Sequence, residues 1–127
     1  EGFHAAGDPA NICERLKGKC SSCIHLPQLD GNCSYAGWRI AQFRGKDVAV
    51  VLVEVNGKKV SIISVPGDPG SLDFGRMFQK EGRTWCNCAF EECSMAAVGI
   101  KGHTYIVAGE ASHDILMGLL DRLVKTH

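Results

Sequence analysis

The most regular stretch of the chain is Val48-Ala49-Val50-Val51-Leu52-Val53-Glu54-Val55, a β-branched run that reads as a strand. Trp38, Ile40 and Phe43 stand ahead of Arg44-Gly45-Lys46-Asp47, so strand, turn, strand is the simplest reading there. Asn56-Gly57 is the strongest short hairpin signal, because a type I′ turn needs positive φ at both central residues and Asn and Gly tolerate it. Lys59 to Val65 is then the next antiparallel strand, stopped by Pro66-Gly67-Asp68-Pro69-Gly70. From there to Arg83 the apolar anchors are Leu72, Phe74, Met77 and Phe78, which reads as a long loop with room for one helical turn.

Trp85 opens a second β region, with Cys86, Cys88 and Phe90 before Glu91-Glu92, Ser94 to Ile100 as the return strand, and Lys101-Gly102 as a turn. Thr104 to Ala108 is the last strand. Ser112 then begins a helix whose apolar positions Ile115, Leu116, Leu119, Leu120 and Leu123 recur at helical spacing and must be buried. Near the start, Asp8 and Pro9 open a shorter helix as N-cap and first helical residue, Ile12, Cys13 and Leu16 share its face, and Gly18 ends it. Lys19 to Tyr35 has no clean period and reads as an irregular connection. The pattern predicts an α+β fold: a single antiparallel sheet of about five or six strands with N- and C-terminal helices.

A chain of 127 residues supports one domain, residues 1–127. Fourteen basic residues balance fourteen acidic ones, so no overall field favours nucleic acid. Val48 to Val55 is far shorter than the roughly 20 apolar residues that span a bilayer.

Seven cysteines change the picture more than charge does. An odd count leaves at least one thiol outside any set of intrachain disulfides. Cys20-Ser21-Ser22-Cys23 has the gap that lets two thiolates face one ion, and Cys13, His25 and Cys33 lie close enough in sequence to complete a tetrahedral site. Cys86 and Cys88, with Cys93 five residues on, share one face of a strand, where they suit joint ligation or long-range partners better than a mutual disulfide. If the two groups meet, Cys20, Cys23, Cys86 and Cys88 form one sulfur-rich metal site, for zinc or another thiophilic ion, with Cys13, His25, Cys33 and Cys93 as further ligands. Disulfides between the same segments are the competing reading, and they leave no cofactor. Reversible thiol chemistry is the third.

A thioredoxin-like site places its cysteine pair after a strand at a helix N-terminus, whereas Cys20 and Cys23 follow a helix. Haem attachment needs His directly after the second Cys, and Ile24 intervenes before His25. No Gly-x-Ser-x-Gly, phosphate loop or His-Glu-x-x-His occurs. Trp38 and Trp85 read as packing residues.

The order Asp8-Pro9, Leu26-Pro27-Gln28-Leu29, Gly37-Trp38-Arg39, the Gly45 turn, Val48-Ala49-Val50-Val51, Asn56-Gly57-Lys58-Lys59-Val60-Ser61, Val65-Pro66, Trp85 and Tyr105-Ile106-Val107-Ala108-Gly109-Glu110 resembles the extracytoplasmic part of membrane-anchored anti-sigma factors. The resemblance runs from Asp8 to Val124. It implies a non-enzymatic periplasmic sensor or interaction domain, anchored to the inner membrane through a helix upstream of Glu1, with a protein partner or a second copy and no nucleic acid as ligand. The family's sensor regions do not generally carry these cysteines, so the sulfur chemistry is particular to this chain. A small thiol-dependent oxidoreductase or metal-handling protein using Cys20 and Cys23 is the alternative.

Overall fold

The computed structural model describes residues 4–5, 8–17, 19, 25–29, 31–72, 76–90 and 93–126. Its frame is one antiparallel sheet built from β1 (His4–Ala5), β2 (Cys33–Phe43), β3 (Lys46–Val55), β4 (Lys58–Pro66), β5 (Arg76–Lys80), β6 (Arg83–Phe90), β7 (Cys93–Ile100) and β8 (His103–Gly109). The spatial order is β1-β2-β3-β4-β8-β7-β6-β5. Seven of these are full strands and β1 is a two-residue piece, so the expectation of five or six falls short.

One added strand and one extended strand separate the structure from the sequence reading. Arg76–Lys80 is a strand rather than loop: of its five residues only Phe78 favours β structure, and it stacks on Trp85 with ring centroids 6.5 Å apart. The first long strand also starts at Cys33, inside the expected irregular connection, and absorbs the mismatch as a bulge between Tyr35 and Gly37.

Four hairpins use one device. Arg44-Gly45, Asn56-Gly57, Glu81-Gly82 and Lys101-Gly102 all place a residue at φ 52 to 55° before a glycine at φ 75 to 82°. Both central residues are therefore left-handed, as the type I′ turn demands. They join β2 to β3, β3 to β4, β5 to β6 and β7 to β8; with the antiparallel pairing of β6 and β7 the sheet forms two meanders, β2-β3-β4 and β5-β6-β7-β8, which meet where β4 pairs with β8, Ile62 opposite Val107. The chain passes from one meander to the other through Pro66 to Leu72, which includes the short helix α2 (Pro69–Leu72). Pro69 packs against β7 at Gly99, where a Cβ would lie 2.9 Å from its Cδ.

Helices α1 (Pro9–Leu16) and α3 (His113–Thr126) lie on the opposite side of the sheet from α2. The Asp8 side chain accepts from the Asn11 N–H at 2.9 Å, and Ser112 Oγ accepts from the Ile115 N–H at 3.3 Å, so both expected N-caps form. Leu116, Leu119, Leu120 and Leu123 are buried against Trp85, Val98, Tyr105 and Val107, each contributing about 1.5–3 kcal/mol relative to exposure. Trp38 and Trp85 are both buried in this core. A smaller cluster on the other face holds Val48, Val65, Cys86, Ala97 and Ile106. Among the described residues no helix is long and apolar enough to cross a membrane.

Candidate functional site

Residues 25–29 run as an extended strap over the helix-bearing face of the sheet, held by side chains from three elements. The Tyr105 hydroxyl of β8 accepts from the His25 backbone N–H at 3.1 Å. The Tyr35 hydroxyl of β2 donates to the Pro27 carbonyl. Arg122 of α3 donates through Nη1 to the Gln28 carbonyl at 3.3 Å. Leu26 is buried in the core between these anchors, and Leu29 packs at its margin. An extended segment has no internal backbone ladder, so such side-chain partners are what satisfy its buried polar groups.

Cys13 sits under this strap. It lies beside the buried stripe Pro9, Ile12 and Leu16 of α1, and its thiol is pushed up by burial, partly offset by a hydrogen bond with the Leu26 backbone. The Tyr35 hydroxyl is also pushed up, first by burial and then by the nearby Cys13, with Arg122 acting in the opposite direction. Cys13, Tyr35 and Arg122 thus form one electrostatic group around the strap. The raised pKa keeps less of this half-buried thiol as thiolate at neutral pH.

The remaining sulfurs are distributed as follows. Cys33 is half-buried at the start of β2 and packs against the same core as Cys13. Cys86 is 1% exposed in the cluster on the other face, where burial raises its thiol. Cys13, Cys33 and Cys86 are free thiols, and the sheet separates the first two from the third. Cys88 is placed by backbone register opposite Met95, and Cys93 opposite Phe90. Cys20 and Cys23 lie outside the described residues, so their grouping with Cys86 and Cys88 stays an expectation of the sequence. His25 enters the site through its backbone. Among the described residues no three His, Cys, Asp or Glu side chains are grouped to hold a metal ion.

Sequence reasoning missed Tyr35, Tyr105 and Arg122. Each comes from a different element, and no spacing rule links them; the one available signal was that a buried tyrosine hydroxyl needs a partner. No protein-family model matches the chain, and no match is found among curated proteins or solved structures.

Proposed function

We propose that this chain is a non-catalytic extracytoplasmic sensor or interaction domain of an anti-sigma-factor-like regulator. On this reading it is anchored to the inner membrane by an upstream helix, and a change in bonding at its cysteines is the signal. The observation that supports it is the strap. The segment from His25, one residue beyond Cys20-Ser21-Ser22-Cys23, is clasped by Tyr35, Tyr105 and Arg122, with Cys13 beside it. Disulfide formation or metal ligation at Cys20 and Cys23 would alter how readily residues 25–29 stay docked, and a signal requires that kind of differential affinity for two conformations. The regulator's partner is then a protein or a second copy, reading the strap face.

The test combines free-thiol counting with and without reductant, elemental analysis of chain purified without chelator, and hydrogen exchange at residues 25–29. A sensor of this type shows exchange at the strap that differs between the reduced chain and the oxidised or metal-loaded chain. Identical strap protection in all states overturns the reading. A thiol-exchange rate that falls in Cys20→Ser would support the oxidoreductase alternative instead. An apolar stretch of about 20 residues encoded upstream of Glu1 is the matching genetic expectation.

A further inference from the structure

On the face away from α1 and α3, the passage of Pro66–Leu72 toward the β5 edge encloses a cleft of about 540 Å³. That volume falls in the range of small-molecule sites, about 300–1,000 Å³. Its walls come from the α2 turn, from Met77 and Gln79 of β5, and from the ends of the β5-β6 and β7-β8 hairpins. Gly99 makes it possible: any side chain there would meet Pro69, so the glycine both seats the α2 turn and leaves the strand surface open beside it.

Two features of this cleft point to a ligand. The first is charge. Arg83 and Lys101 line it against one carboxylate, Asp68, an excess of one positive charge. Arg83 is half-buried and donates through Nη1 to the Gly99 carbonyl at 3.5 Å, which holds the guanidinium beside the cleft with further N–H groups to offer. The Thr84 hydroxyl accepts from Gln79 Nε2 at 2.8 Å and keeps its own proton to donate. The second is apolar. Met77, 46% exposed, is the large hydrophobic residue left open among the described residues, and it lines the same cleft.

We infer that this cleft binds a small amphipathic monoanion: a carboxylate facing Lys101, Arg83 and Thr84, with a short apolar chain against Met77. One excess cation matches a monocarboxylate better than a phosphate dianion, and Asp68 penalises the second negative charge. The inference uses none of the cysteines and stands apart from the proposed sensing role.

The probe is octanoate, titrated into the 15N-labelled chain, with octylamine and inorganic phosphate as comparisons. Octanoate is expected to move the amide resonances of Gly82, Gly99 and Gly102 saturably, with octylamine silent and phosphate weaker. Lys101→Glu should weaken octanoate about tenfold or more, the scale for reversing one charge near a surface. The substitution is compatible with the fold, because Glu81 already occupies the equivalent turn position at φ 55°. Met77→Gln should weaken octanoate and leave any phosphate response unchanged. The inference is overturned if no saturable shift appears, if octylamine produces the same shifts, if phosphate binds more tightly, or if Lys101→Glu binds as the parent does.

Discussion

The two meanders share a turn geometry at the two described hairpins of each and are stabilised differently. The first, β2-β3-β4, has strands of 11, 10 and 9 residues centred on the valine-rich Val48 to Val55. The second, β5-β6-β7-β8, has strands of 5, 8, 8 and 7 residues, and α3 packs on its β7 and β8. Local β preference supports the first, whereas helix packing and one tryptophan support the second. The Trp85 indole, fully buried, ties this half together: its Nε1–H donates to the Lys80 carbonyl at 3.0 Å, Phe78 stacks on it, and the Lys80 ammonium lies 5.1 Å from its ring.

If α3 is the support of the second meander, removing a leucine from its core stripe should have the largest effect. Leu120→Ala is expected to cost about 2–5 kcal/mol in urea unfolding. Hydrogen exchange should speed up first at β7 and β8 amides, with β3 the last to lose protection. Equal acceleration in β3 would show that the halves open as one unit and would break the comparison.

The seam between the meanders is the next place to press. Gly109 ends β8 opposite Val60, and a Cβ there would lie 2.5 Å from the Lys59 carbonyl oxygen and 3.0 Å from the Val60 Cα. Backbone cannot step aside as a side-chain tip can, so Gly109→Ala should destabilise by about 1–3 kcal/mol. Gly118→Ala on α3 is the control: its Cβ meets nothing within 4 Å, and the helix should gain about 0.5–1 kcal/mol.

This contrast also explains what the sequence could and could not reveal. Six strands and the two terminal helices were legible because their signals are local: β-branched runs, Asn56-Gly57, Asp8-Pro9, and the leucine spacing of α3. Arg76–Lys80 was not, since its strand character depends on Trp85 across the ladder and on Glu81-Gly82, a turn whose first residue gives no hint of positive φ. In the candidate site, Cys13 was legible as a member of the face it shares with Ile12 and Leu16. The strap's anchors were not, because the contacts of Tyr105 with His25 and of Arg122 with Gln28 span 80 and 94 residues. The cleft was invisible for the same reason, being closed by the crossing of one connection over strand ends distant in the chain.

The strap, anchored on β2 of the first meander and on β8 and α3 of the second half, adds a smaller, tunable contribution. Tyr35→Phe removes the donor to the Pro27 carbonyl and should cost about 1 kcal/mol, with faster exchange confined to residues 25–29 and their contacts. The half-buried Cys13 thiol has a pKa raised by folding, so the native state holds that proton more tightly than the unfolded chain. Stability is therefore full below the ordinary thiol range and falls as pH rises through and above about 8.5. Tyr35, shifted the same way, extends the loss to higher pH. Urea unfolding under reducing conditions, repeated across this range, should show a shallower decline in Cys13→Ser; an unchanged slope would remove Cys13 from the strap's electrostatic group.

The smallest expected effect tests whether the four turns are interchangeable. Asn56 and Glu81 hold nearly the same backbone, φ 53° and 55°, but Asn tolerates the left-handed region through local hydrogen bonding and Glu does not. Glu81→Asn should therefore raise stability by about 0.5 kcal/mol, and Asn56→Glu should lower it by a similar amount. The turns cap different meanders, so the double exchange should sum to almost nothing if each acts alone. A net loss in the double variant would mean that the Asn56 turn is worth more in the first meander than the same turn in the second. That result would show that long valine-rich strands depend on register set at the hairpin, whereas the short strands under α3 have theirs imposed by packing.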